Sequence, residues 1–104
     1  MIRKCFSFSI YPGKEVEYQV RHDEIWPEML AALTRAGYRN YTLFLSQLTI
    51  VGYCELEEVE LTQTEKAEVE AVQARWSESM KEIIDFSTVV GPAAHIFREV
   101  WHLA

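Results

Sequence analysis

The sequence predicts an α+β domain with the order βαββαβ. This is the ferredoxin-like arrangement, in which two helices cover one face of a single antiparallel sheet. Three observations predict it. Residues 2–10 alternate, with Ile2, Lys4, Phe6, Phe8 and Ile10 on one side and Arg3, Cys5, Ser7 and Ser9 on the other. Residues 14–36 and the stretch after Thr62 repeat apolar side chains every three or four positions, the helical period. Between them lie two short runs of Tyr, Thr, Phe, Ile and Val, which suit a pleated, half-buried surface.

Each element has its own boundary signals. Tyr11-Pro12-Gly13 ends the first strand, because Pro lacks a backbone donor and Gly accepts turn geometry. The first helical stretch carries Tyr18, His22, Ile25, Met29 and Leu33 on one inward stripe and is closed by Gly37. Pro27 either kinks that helix or starts a second segment after Trp26. Val16 and Val20 fall on the opposite face, which periodicity does not explain. Residues 38–45 and 49–56 read as strands joined by a turn at Ser46-Gln47-Leu48, followed by an acidic stretch from Glu55 to Glu60 that reads as a solvated loop. Thr62-Gln63-Thr64-Glu65 fits a capping box at the start of the next helix. That helix carries Val69, Val72, Trp76, Met80 and Ile83 on one stripe and fades near Asp85. Gly91-Pro92 breaks the chain, and residues 95–103 read as the last strand. Residues 1–104 thus form one domain without repeat or linker. The two helices can cover only one sheet face, and the other also carries aromatic and apolar side chains. A homodimer is the economical cover, giving the dimeric α/β-barrel type.

Composition narrows the function. The chain has 104 residues, of which 49% are hydrophobic and 25% charged, the balance of a globular domain. With 16 acidic against 10 basic residues, its net charge of −6 disfavours nucleic acid and anionic membranes as partners. No apolar run approaches the roughly 18 residues of a membrane span, and the N-terminus does not read as a signal peptide. Cys5 and Cys54 are far apart and outside any CxxC, so they read as two reduced core thiols in a cytoplasmic protein.

The chain carries no P-loop, GxGxxG, HExxH or GxSxG motif, and His22, His95 and His102 are scattered, so no metal site is expected. What remains is a constellation on the helices. Tyr18 and His22 stack one turn apart on the inward stripe, where a phenol and an imidazole both need hydrogen-bond partners. Histidine can give and take a proton near neutral pH. Trp76 could serve as a flat platform for a sugar ring, and Tyr41 sits in the second strand. Core packing accounts for the same four positions, and spacing alone leaves both roles open. Arg3, Lys4 and Arg21 read as solvated charges, and Trp26 and Trp101 as core or interface residues.

Met1-Ile2-Arg3-Lys4, Glu17-Tyr18, Arg21-His22, Ile25-Trp26-Pro27-Glu28, Asn40-Tyr41-Thr42, Arg75-Trp76 and the ending Glu99-Val100-Trp101-His102-Leu103 resemble the L-rhamnose mutarotase family over nearly the whole chain. The N-terminal quarter is the most specific part. The resemblance implies a dimeric ferredoxin-like domain that interconverts the α and β anomers of a free monosaccharide without a cofactor. By position it implies His22 as proton donor and Tyr18, Tyr41 and Trp76 as sugar-binding residues. The chain departs from the family at Ser77, where a second Trp is usual, and at residues 85–92, where an Asn-Pro-Asp-Asn-Ser-Pro-like loop is usual. Its turn between the second and third strands also looks shorter. These departures bear on which sugar is held more than on the reaction. Two other classes fit the residues: a non-catalytic sugar-binding relative, and a different cofactor-free dimeric ferredoxin-like enzyme, such as a monooxygenase with a drier pocket.

Overall fold

The computed structural model describes residues 1–89 and 95–104. The elements run β1 (Ile2–Ile10), α1 (Glu15–Asp23), α2 (Pro27–Arg35), β2 (Tyr38–Ser46), β3 (Thr49–Leu56), α3 (Gln63–Ser79), β4 (Ile84–Asp85), a single 3₁₀ turn (Phe86–Thr88) and β5 (His95–Phe97). The sheet is antiparallel in every pairing, with the order β2-β3-β1-β4. Strand β5 pairs with β1 beside β4, so the two together occupy the place of the predicted last strand. This is the predicted ferredoxin-like order.

Pro27 decides the shape of the helical layer. It occupies the first turn of α2, where a missing N–H costs nothing, and the chain breaks between Glu24 and Trp26. The stretch 14–36 is therefore two helices, and Gly37 closes the second at φ +97°. The inward stripe holds: Tyr18 and Met29 are buried, and Ile25 and Leu33 pack against the core. Val16 and Val20 are exposed on the far side of α1. The capping box at Thr62 is formed in both directions, between the Thr62 side chain and Glu65 N–H and between Glu65 and Thr62 N–H. Helix α3 ends at Ser79, yet Met80 and Ile83 just beyond it are fully buried, so the predicted stripe outlives the helix.

The core lies between the sheet and the helices, where Ile10, Tyr18, Met29, Ile50, Trp76, Met80, Ile83 and Ile84 meet. The register pairs Phe6 with Gly52 and Phe8 with Ile50, which puts the even-numbered residues of β1 and β3 under the helices. A β-carbon on Gly52 would stand 2.3 Å from Phe6 Cζ, so glycine there lets the Phe6 ring lie across β3. The opposite, open face carries Cys5, Ser7, Val51, Tyr53 and Phe44. Cys5 is therefore not the core thiol expected. Cys54 is buried under the helices while Cys5 is half-buried on the open face, and both are free.

The last strand is shorter than predicted. It stops at Phe97, and residues 98–104 form no regular element. Glu99 still pairs with Arg3, the position that continuing the β5 register would put opposite it. The side chains keep the alignment where the backbone ladder has ended. Trp101 is 75% exposed, with Val100 and Leu103 similarly open, so this segment buries no apolar face that would offset the entropy of ordering it. The expected chain break at Gly91-Pro92 lies outside the described residues.

Candidate functional site

Residues from β1, α1, β2 and α3 enclose a cavity of about 450 Å³ between the sheet and the helices. Small-molecule sites typically run from about 300 to 1,000 Å³. Tyr18, His22, Tyr41 and Trp76 all line it, although they come from three different elements.

Helix α1 supplies the central pair. The Tyr18 and His22 rings lie 4.3 Å apart between centroids and are tilted by 33°. His22 Nδ1 lies 2.9 Å from the Tyr18 backbone oxygen. A carbonyl only accepts, so Nδ1 carries a proton and donates it there. Nε2 is thereby left as the ring's acceptor nitrogen, and it has no hydrogen-bond partner among the described residues. The bond also fixes the ring's orientation. Arg21, from the same turn, donates to the Ser79 carbonyl at 3.0 Å and to Glu17 at 3.2 Å, which ties α1 to the end of α3.

Trp76 meets the His22 ring edge-on, at 5.5 Å and 87°. Trp26 braces it from behind at 5.2 Å and 89°, and the Arg75 guanidinium lies 5.7 Å over the Trp26 ring. Ser77 is exposed and does not line the cavity, as expected one step along a helix that turns about 100° per residue.

Tyr41 reaches the cavity through a β-bulge. The β2–β3 register shifts between Arg39 and Thr42, and Asn40 adopts φ +48°. In an unbroken strand residues 38 and 41 would face opposite ways. Here their rings stack at 5.5 Å and 21°, and Tyr41 meets Phe6 edge-on at 6.1 Å. Asn accepts the left-handed conformation more readily than most residues, which suits it to this corner.

Tyr18 is only 5% exposed, and burial raises its phenol pKa well above the usual tyrosine value, with the Tyr41 phenol adding to the shift. Burial also raises that of Tyr41, aided by Cys54 and Tyr38. Both are neutral hydroxyls at ordinary pH, able to donate and to accept. Burial raises the Cys54 thiol too, opposed by the charge of Lys4.

The cavity also takes in residues that spacing did not single out. Lys4 and Phe6 come from β1, Tyr38 from β2, and Phe86 and Val89 from the turn after β4. The alternation of residues 2–10 had put Lys4 and Phe6 on the side of Phe8 and Ile10, but a lysine in a strand reads as a solvated charge. His95 borders the cavity as well, while His102 instead meets Arg3. Among the described residues, no aspartate or glutamate lines the cavity. Nor does any group of three or more His, Cys, Asp or Glu among them form a metal-binding cluster.

The family model for L-rhamnose mutarotase matches residues 3–103. The chain is 36% identical to the L-rhamnose mutarotase of Oceanobacillus iheyensis and 35% identical to that of Bacillus subtilis, in each case over 99% of both chains. It is 36% identical to that of Tolumonas auensis over the full length of both. The crystal structure of an L-rhamnose mutarotase from Formosa agariphila superposes with a TM-score of 0.73 over the whole of both chains at 20% identity, which shows the shared fold. With a family match spanning nearly the entire length and relatives above 30% identity, the chain belongs to the L-rhamnose mutarotase family.

Proposed function

We propose that this protein interconverts the α and β anomers of L-rhamnose, or of a closely related free sugar, by general acid/base catalysis. One observation carries the reading: an imidazole with a fixed tautomer stands in a cavity walled by two phenols and an indole. Mutarotation opens a cyclic hemiacetal and closes it on the other face. A proton leaves the anomeric hydroxyl while another reaches the ring oxygen. The C1–ring-oxygen bond breaks, the aldehyde turns about its bond to C2, and the same transfers run backwards. Bond electrons and protons balance within the sugar and the acid/base groups, so proton transfer suffices.

His22 Nε2 takes or returns the proton at the anomeric or ring oxygen, and Nδ1 stays locked on the Tyr18 carbonyl. Tyr18 and Tyr41, neutral phenols at ordinary pH, hydrogen-bond sugar hydroxyls, and Tyr18 shares in the transfer. Trp76 packs against the apolar face of the ring. Positioned acid/base groups typically contribute about 10²–10⁴-fold each. Replacement His22→Ala is therefore expected to lower the enzyme-catalysed anomer exchange rate by about 10²-fold or more, read by saturation-transfer NMR on L-rhamnose. A variant that exchanges anomers as fast as the parent sinks the assignment.

A second copy of the chain covers the open sheet face, which presents Phe44 at 62% exposure beside Val51 and Tyr53. The cytoplasm is the compartment that two free cysteines on opposite sheet faces favour. No helix among the described residues is long and apolar enough to cross a membrane.

A further inference from the structure

We propose that Lys4 is a further substrate-contacting residue, its ammonium hydrogen-bonding an oxygen of the sugar at the mouth of the cavity. The proposal rests on the sugar-site reading above. Lys4 stands on the helix-facing side of β1 with Phe6 and Phe8, opposite Cys54 across the ladder. Lys4 and Cys54 both line the cavity, Cys54 from a buried position and Lys4 from an exposed one, which places Lys4 at the opening.

The cavity floor can be followed along β1. Phe8 tilts against Tyr18, and Phe6 stacks on Phe8 and meets Tyr41 edge-on. Lys4 comes next in that row. It lies four residues, about 13 Å of strand, from Phe8, and its flexible four-carbon stem spans part of that gap. The His22 end and the Lys4 end thus frame the space a monosaccharide would occupy.

The charge of Lys4 is unspent. Arg3, Arg21, Arg35 and Arg39 each pair with a carboxylate. Lys4 has no hydrogen-bond or ion-pair partner among the described residues. No carboxylate among them lines the cavity to compete for it, although the whole chain is acidic. An ammonium is donor-only, with three N–H groups. Charge-assisted hydrogen bonds are roughly twice as strong as neutral ones, so a sugar oxygen at the mouth gains more from Lys4 than from a phenol. The same charge favours an oxygen from which a proton is being withdrawn.

Substitution Lys4→Met, which keeps the stem and removes the charge, is expected to lower kcat/KM for L-rhamnose anomer exchange by about 10- to 100-fold, mainly through KM. Lys4→Arg is expected to recover part of the loss. Because Lys4 is exposed, both variants should keep the parent's circular dichroism spectrum and melting temperature. A second readout does not depend on turnover. In protein labelled with ¹³C-lysine, the Cε signal that vanishes in Lys4→Met should shift on titration with L-rhamnose, in the parent and in His22→Ala alike. The proposal is overturned if that signal stays fixed at sugar concentrations that saturate the change in tryptophan fluorescence, even if Lys4→Met is slow. If the parent exchanges no anomers yet binds the sugar, the mutarotase reading fails and the Lys4 signal still decides this proposal. If the sugar does not bind at all, both fail.

Discussion

Tyr18 and His22 are joined through a single backbone oxygen. The Tyr18 carbonyl holds His22 Nδ1–H, while the Tyr18 side chain lines the cavity as a neutral phenol. The buried phenol has a measurable consequence. Burial penalises the phenolate, so the folded pKa of Tyr18 lies above the value of about 10 in the unfolded chain. Above pH 10 the unfolded state has therefore lost a proton that the folded state keeps, and stability falls as pH rises. Below pH 10 both states hold the proton, and this contribution is level. For Tyr18 the slope reaches about 1.4 kcal/mol per pH unit between the unfolded and folded values. Urea midpoints should therefore be flat with respect to this group from pH 8 to 10 and drop beyond. Tyr18→Phe should show a shallower drop, and equal slopes in parent and variant would refute the assignment. At this scale the sequence was informative where helical spacing applied. The four-residue step from Tyr18 to His22 forces adjacency on any α-helix. Lys4 was not recognisable, because a charged residue in a strand says nothing about whether it borders a cavity.

Two elements place the site's walls by departing from regularity. The bulge at Asn40 turns Tyr41 toward Phe6, and Gly52 leaves room for the Phe6 ring on β3. Gly52→Ala would set a methyl 2.3 Å from Phe6 Cζ, deep inside normal van der Waals contact. The Phe6 ring must then move toward the cavity it lines, or the strands must part. Overpacking of this kind costs about 1–3 kcal/mol. The variant is expected to unfold at lower urea concentration and to raise KM for the sugar, and a variant with both unchanged would show that Phe6 does not rest on β3. Helix and strand identities were legible because periods of two and of three to four dominate their segments. The bulge was not, since one extra residue leaves composition and alternation nearly intact. The predicted strand 95–103 failed for a different reason. Its apolar residues promised a pleated surface, but beyond Phe97 they have no covered face within this chain, and the Arg3–Glu99 pair across β1 alone does not extend the ladder.

The whole molecule is therefore more one-sided than its composition implies. Its helices seal one face of the sheet, and the cavity is built under them. The open face keeps Phe44 and Phe97 more than half exposed, and Ile96, Val100, Trp101 and Leu103 stand out around the last strand. An apolar surface shared between the sheet and its final segment is the pattern that a symmetric partner buries, because a two-fold axis brings the same patch against itself. Burial in a dimer would also supply the cover that residues 98–104 lack in one chain. A dimer is therefore expected in solution, with a sedimentation mass twice that of the chain. Phe44→Asp places a charge on the edge strand of that face, where its desolvation in the interface goes uncompensated. Phe44 lies on the side of the sheet away from Tyr41 and the helices, so the fold of each subunit should survive the change. The variant should sediment as a monomer while keeping the parent's circular dichroism spectrum. A parent that sediments as a monomer, or a Phe44→Asp variant that stays dimeric, would show that the open face is not the interface.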